Sequence, residues 1–255
     1  MSLYEQVGYL SKVQLLRDRV PSFGDYPFHL DAVRGLDTLA CHPKVTFLVG
    51  ENGAGKSTLI EAIAVALGFN PEGGTMNFSF ETARTHSVLS DYLRPVRGPR
   101  RPRDGFFFRA ESYYNLATNI EELDREPTCA PPIIDSYGGR SLHEQSHGES
   151  FFATFLHRFG GKGLYVMDEP EAALSPSRQM AMLARMHQLV EQQSQFLIAT
   201  HSPILMAYPD AWIYQLDGDG IRRVAWQETE HYIVTKQFMN NSERMLGELL
   251  AGDDV

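Results

Sequence analysis

Cysteine is nearly absent from the chain. Cys41 and Cys129 are the only two in 255 residues, and they do not form a C-x-x-C. This argues against a disulfide framework or a thiolate-rich metal site, and both thiols are expected to be buried and free, as suits a reducing cytoplasm. Long apolar runs are missing as well: no stretch approaches the roughly 18 uninterrupted apolar residues of a membrane span. Residues 1–6 carry no basic segment leading into an apolar one, so no secretory signal is expected. The expected location is cytoplasmic, without direct membrane insertion. Positive charge is in the minority, with 23 lysines and arginines against 32 acids and a net charge of −9. Such a surface is not drawn uniformly to nucleic acid or anionic lipid, although a local basic patch still can be.

What is present reads as an ordinary globular protein, 43% hydrophobic and 22% charged, with ample material for a core. The length suits one large domain or two small ones. Strand-like and helix-like segments alternate, which predicts an α/β fold. Strands are expected at residues 9–20, 106–110, 163–167 and 196–200 and over the apolar run Val45–Val49. Residues 212–216 and 221–226 read as a hairpin across Asp217-Gly218-Asp219-Gly220. Phe151, Phe152, Phe155, Leu156 and Phe159 recur at helical spacing, the mark of a helix that buries a wide aromatic face. Ser175-Pro176 supplies an N-cap and a first-turn proline for a helix reaching about Val190. A last helix is expected over Ser242–Leu250. Residues 94–104, crowded with proline, glycine and arginine, are expected to be the least ordered.

The strongest pattern is Gly50-Glu51-Asn52-Gly53-Ala54-Gly55-Lys56-Ser57, which fits G-x-x-x-x-G-K-[ST] between a buried strand and a helix running from Thr58 to Leu67. In that setting backbone N–H groups and a helix N-terminus converge on phosphates. Lys56 is expected to reach the β- and γ-phosphates of ATP, and the Ser57 hydroxyl to ligate Mg²⁺. Downstream, Leu164-Tyr165-Val166-Met167-Asp168-Glu169 is an apolar strand ending in two acids, the form of a Walker B motif. Asp168 is the expected Mg²⁺ ligand. Glu169 is the expected general base for the attacking water. His201, just past the next strand, is a third candidate for the site.

In this order, the two Walker motifs and the strand-end histidine resemble the ABC-type ATPases. The phrase from Gly50 to Thr58 is closest to their RecF/SMC-like branch. Ser146-His147-Gly148-Glu149-Ser150 and residues 168–176 resemble the small stand-alone AAA family ATPases of bacteria, as does the stretch from Thr229-Glu230-His231-Tyr232 to Phe238-Met239-Asn240-Asn241. The resemblance implies one P-loop NTPase domain of ABC-ATPase type over residues 1–255. It has a mostly parallel core sheet, an N-terminal antiparallel β part and a small helical, signature-bearing insert at about residues 70–150. It implies that His201 holds the γ-phosphate. It also implies that Ser146 and Gly148, standing where the family has its signature loop, reach across a head-to-tail homodimer to the partner's nucleotide. Gln145, His147 and Glu149 depart from the usual signature. The family's Q-loop glutamine has no counterpart, because no glutamine lies between Ser57 and residue 145. Glu111 is the expected substitute near the Mg²⁺, with a surface acid capping the next helix as the open alternative.

Three other patterns complete the reading. His143-Glu144-Gln145-Ser146-His147 matches H-E-x-x-H, but zinc chemistry needs both histidines on one helix and a third ligand. Arg94, Arg97, Arg100, Arg101 and Arg103 form a basic stretch in an acidic chain, a candidate contact for nucleic-acid phosphates or an acidic partner. Tyr26-Pro27-Phe28 stands where the family often offers adenine a ring, with core packing as the alternative. The expected function is therefore an ATP-hydrolysing, ATP-dimerised ATPase that drives or gates an unknown protein partner, linked to nucleic acid in repair or phage defence. The alternatives are the nucleotide-binding subunit of a membrane transporter and a low-turnover ATP switch on a toxin or nuclease.

Overall fold

The computed structural model describes residues 8–76, 88–125, 131–144 and 146–251. Its first half contains β1 (Leu10–Leu15), α1 (Asp31–Arg34), β2 (Thr38–Ala40), β3 (Val45–Val49), α2 (Lys56–Leu67), β4 (Leu93–Arg97), β5 (Asp104–Arg109) and α3 (Tyr113–Arg125). Then come α4 (His147–His157), β6 (Gly163–Asp168), α5 (Pro176–Glu191), β7 (Gln195–Ala199) and α6 (Pro203–Met206). The chain continues through β8 (Trp212–Asp217), β9 (Gly220–Val224), α7 (Glu230–Asn240) and α8 (Ser242–Leu250).

Six strands make the central sheet in the order β5-β6-β7-β3-β8-β9. The first five are parallel, and β9 returns antiparallel to β8. The sequence of β3 explains its place near the middle: all five of its residues are buried, as a parallel strand covered on both faces requires. Alternation along the strands then divides the core in two. Val45, Phe47, Phe106, Phe108, Tyr165 and Phe196 meet α4 and α5 on one face, where Phe151, Phe155, Met182 and Met186 pack against them. Leu48, Phe107, Val166 and Leu197 meet Leu59, Ile60 and Ile63 of α2 on the other face. The P-loop helix and the helix that follows Ser146 therefore lie on opposite sides of one sheet.

A second, antiparallel sheet of order β2-β1-β4 packs beside α2 through Leu10, Val13 and Leu39. Gln195 stitches the two sheets together: its amide donates to the carbonyls of Leu10 (2.8 Å) and His42 (2.9 Å), and its oxygen accepts from the Leu10 N–H at 2.8 Å. The expected fold class, an α/β P-loop architecture with an N-terminal antiparallel part and a helical insert, holds. The insert's helices, α3 and α4, fall between β5 and β6.

Two expectations need correction, and one helix was not foreseen. The first strand ends at Leu15, where its partner β4 begins at Leu93, and a 3-10 turn over Arg17–Arg19 follows. Arg94 and Arg97 lie in β4, paired against β1, not in an irregular stretch. Pro95 is tolerated there because β4 is an edge strand of its sheet. Helix α7 went unread because its apolar residues Ile233, Val234 and Met239 are exposed, so no buried stripe marks it. It is set by Thr229 as N-cap, whose hydroxyl accepts from the Tyr232 N–H.

Candidate active site

The loop from Gly50 to Gly55 turns sharply off β3. A Cβ at Gly50 would stand 2.3 Å from the Leu216 carbonyl oxygen, and φ is +152°, so only glycine lets the chain leave the sheet this close to β8. α2 starts at Lys56, which is 4% exposed. Its ammonium donates to the carbonyls of Gly50 (3.0 Å) and Glu51 (2.9 Å). Burial lowers the Lys56 pKa, and the carboxylates of Glu169, Asp168 and Glu171 oppose that shift. A positive charge in a tight loop at a helix N-terminus has the electrostatics that suit an anion such as a phosphate. A cavity of about 620 Å³ adjoins it, lined among others by Asn52, Ala54, His29 and Gln215, a size that suits a small ligand.

Asp168 ends β6 on the α2 side of the sheet, 4% exposed. It accepts a hydrogen bond of 3.1 Å from the Ser57 hydroxyl. Two hard oxygen donors at a helix N-terminus fit Mg²⁺. Burial raises the Asp168 carboxyl to about 7, against the Ser57 hydrogen bond and with the help of Glu169. The sign of the linkage follows: an acid whose pKa is raised on folding favours the folded state while protonated, and that contribution is lost as pH climbs from about 4 toward 7. Asp168→Asn is therefore expected to raise the melting temperature of the ligand-free protein at pH 8, by about 2–4 °C per kcal/mol regained. The gain should shrink toward pH 5. Thermal melts across that range check it, and a variant less stable at pH 8 contradicts it.

Glu169 follows with φ +49°, a left-handed conformation that costs a non-glycine residue on the order of 1–3 kcal/mol. Its N–H bonds to Ala199 at 3.0 Å, and its carboxylate lies 3.4 Å from His201 Nε2. His201 is fixed from two sides. Its backbone N–H donates to Glu171, and its Nδ1 is 2.9 Å from His231 Nε2. Burial and Lys56 lower the His201 pKa, with Glu169 opposing. The structure thus brings Lys56, Ser57, Asp168, Glu169 and His201 to one end of the parallel strands, where open α/β sheets bind ligands.

Ser146 caps α4, and its N–H and hydroxyl both donate to Glu149, at 3.1 and 2.7 Å. Those bonds lower the Glu149 pKa. A Cβ on Gly148 would lie 2.4 Å from the Ala173 carbonyl oxygen, so glycine lets α4 sit against the turn that follows β6. Residues 146–148, expected to be the signature, therefore lie at the same end of the sheet as the P-loop but on the other face.

Glu111 is 82% exposed and bound to Arg109 at 3.2 Å, with no hydrogen bond to Ser57 or Asp168 among those described. The other nitrogen of Arg109 is 2.9 Å from Glu61 of α2 and ties β5 to the P-loop helix, and the charges of Arg109 and Glu111 bear on Asp168 in opposite directions. Glu61, Arg109, Glu171 and His231 were missed in the sequence. Glu171, two residues past Glu169, and His231, inside the C-terminal stretch that carries the resemblance, were the ones with a hint in the sequence.

The zinc pattern fails on geometry. α4 starts at His147, while His143 sits in a turn, 3.2 Å from the Thr118 hydroxyl and edge-on to Tyr114. No group of three metal-ligating side chains occurs among the described residues. Tyr26 is exposed with its hydroxyl 3.3 Å from Thr58, whereas Phe28 is core, edge-on to Tyr92. Cys41 is buried and its thiol is pushed up to about 12, so it is inert. Cys129 lies outside the described residues, as does Gln145.

Comparisons with known proteins agree with this arrangement. A model of an AAA domain matches residues 23–96, which hold the P-loop. A second, described as "AAA domain, putative AbiEii toxin, Type IV TA system", matches residues 135–207, which hold Ser146, Asp168, Glu169 and His201. The energy-coupling factor transporter ATP-binding protein EcfA2 of Staphylococcus aureus is 25% identical over 223 residues, spanning 79% of this chain and 76% of that protein. An ATP-binding subunit of an ABC transporter superposes with a TM-score of 0.47 at 20% identity, over 90% of this chain and 93% of that one. The SMC head domain of Thermotoga maritima gives 0.41 at 15%, over 85% and 98%. The chain has an α/β fold with a mostly parallel central sheet, two stretches of it match AAA-domain models, and it is similar to ABC-type ATPases and SMC heads.

Proposed function

We propose that the protein is a Mg²⁺-dependent ATPase whose two copies close head to tail over two ATP molecules. One observation carries the dimer. Ser146 and Gly148 lie at the same end of the sheet as residues 50–57 but across it, since α4 and α2 cover opposite faces. A self-complementary pair related by a two-fold axis sets each signature over the partner's phosphates.

Within each site Lys56 and the residue 50–57 backbone bind the phosphates, and Thr58 lies in the first turn of α2. Ser57 and Asp168 would hold Mg²⁺, whose charge would supply electrostatic stabilisation to the phosphoryl oxygens. Glu169 takes the proton of the attacking water, and His201 holds the γ-phosphate. The site is one domain's work, with the partner copy adding the signature.

The output is linked to nucleic acid through the end of the basic stretch. Arg94 is bound to Gln14 at 2.7 Å and Arg97 to the Leu67 carbonyl at 2.9 Å within the β4 region, and Arg100, Arg101 and Arg103, all exposed, continue the stretch beyond the strand. Replacing Arg100 and Arg101 by glutamate should weaken DNA binding and flatten its log–log salt dependence by about two, one for each phosphate that is no longer neutralised. An unchanged slope removes nucleic acid from the proposal.

A second reading rests on the EcfA2 likeness: the chain would then be the ATP-binding subunit of a transporter. Co-purification with a membrane protein pair favours it. DNA-stimulated turnover favours the first reading, and slow turnover that no nucleic acid stimulates favours a switch on a bound toxin or nuclease.

A further inference from the structure

The pair His201–His231 has a protonation pattern that its surroundings determine. His201 Nε2 lies 3.4 Å from a carboxylate oxygen of Glu169, a group that only accepts. A proton on Nε2 is therefore favoured, which leaves Nδ1 as a lone pair. His231 Nε2, at 2.9 Å from that Nδ1, must then carry the hydrogen. Its other nitrogen, Nδ1, is buried with no hydrogen-bond partner among the described residues. An N–H on that atom would be a buried donor with nothing among the described residues to accept it, so the proton is better placed on Nε2, which faces an acceptor.

The reverse assignment fails twice. It aims a lone pair of His201 at a carboxylate, and it turns His231 Nε2 into an acceptor, so that the proton moves to the unpartnered Nδ1. A doubly protonated His201 meets the second objection too. His201 Nε2 has no hydrogen bond of its own either, but only this arrangement turns each N–H of the pair toward an acceptor: the Glu169 carboxylate at 3.4 Å and the His201 Nδ1 lone pair at 2.9 Å.

We infer that His231 is a positioning residue that donates to His201 and holds it as an Nε2–H donor facing Glu169 and the phosphate side of the site. This rests on the reading of His201 given above. A carboxylate or carbonyl behind a histidine accepts from Nδ1–H and makes the far nitrogen a base. A donor behind it does the opposite. His201 is then unable to take a proton from water, and that role falls to Glu169 alone. Because His231 is the second residue of α7, the same contact seats the C-terminal helices on the active site.

Two readouts test this. Long-range ¹H–¹⁵N spectra of the histidine rings in the wild-type protein are expected to show both His201 and His231 as Nε2–H tautomers, assigned by their loss in His201→Gln and His231→Gln. A His201 ring protonated at Nδ1 alone, or at both nitrogens, overturns the inference without reference to activity. His231→Phe, which keeps the ring but cannot donate, is expected to lower kcat for Mg²⁺-ATP by about tenfold or more, with KM moving far less. His231→Gln, whose amide can donate from a similar place, should recover most of that loss. Equal losses in Phe and Gln variants, or none in Phe, also overturn it. His201→Ala separates the two claims: wild-type turnover in that variant removes His201 from the chemistry, while the ring spectra still decide the tautomer.

Discussion

Glu169→Gln is expected to cut ATP turnover by about 10²–10⁴-fold and to convert the ATP-bound protein into a stable dimer. The two effects share a cause. Glu169 stands in a cluster of acids, and its charge bears on Asp168, Glu171 and His201 alike. A neutral amide keeps the side-chain shape and a contact to His201 Nε2, but it cannot accept a proton from water. Hydrolysis stops while binding continues. Removing one negative charge beside the γ-phosphate also reduces repulsion toward ATP in a site where low dielectric strengthens such terms. The closed pair, no longer opened by hydrolysis, accumulates. Light scattering should give about twice the protomer mass with Mg²⁺-ATP and the protomer mass with ADP, because the signature reads a third phosphate. A variant that stays monomeric with ATP rejects the composite site. One that hydrolyses at near the wild-type rate rejects Glu169 as the base.

The strained backbone at Glu169 belongs to the same argument. A left-handed φ at a non-glycine residue persists only where neighbours over-determine it, and here the bond from its N–H to Ala199 does so. Nothing in the string Asp168-Glu169-Pro170 announces that conformation. What the sequence did announce were features that depend on near neighbours along the chain. The P-loop was legible from eight consecutive residues. The strands β3, β6 and β7 were legible because burial on both faces writes them as apolar runs, and α8 was bounded correctly at both ends.

The contacts that assemble the site join residues far apart in sequence, and these were not legible. Arg109 meets Glu61, His201 meets His231, and Gln195 meets Leu10 only after the sheet has ordered its strands. Residues 94–97 misled for a related reason. Arginine and proline suggest a loop, yet an edge strand accepts both, because its outer side needs no partner. Glu111 was placed by position alone, with a surface acid as the alternative; it is exposed beside Arg109, and its charge still bears on Asp168.

Mixing two inactive variants is expected to restore activity, and that result would be the most direct test of a shared site. Lys56→Ala removes the cation that grips the phosphates, so both of its own sites are dead. Ser146→Arg places a large cation where the signature would approach the partner's nucleotide. Ser146 is exposed, and its contacts stay within the α4 cap, so the cost to folding is about 0.5–2 kcal/mol. A homodimer of this variant is dead as well, since each P-loop faces a blocked signature. In a mixed dimer the two lesions fall together. One site combines the damaged P-loop with the blocked signature, and the other combines an intact P-loop with an intact signature. Random pairing makes half the dimers mixed, so an equimolar mixture should recover about a quarter of wild-type turnover if sites act independently. A chain carrying both changes behaves in the opposite way: paired with wild type it spoils both sites, and adding it in excess should suppress wild-type activity toward zero. Should the mixture stay as inactive as its components while each variant remains folded, each site is complete within one chain. The opposite-face placement of α2 and α4 would then need a reason other than dimerisation.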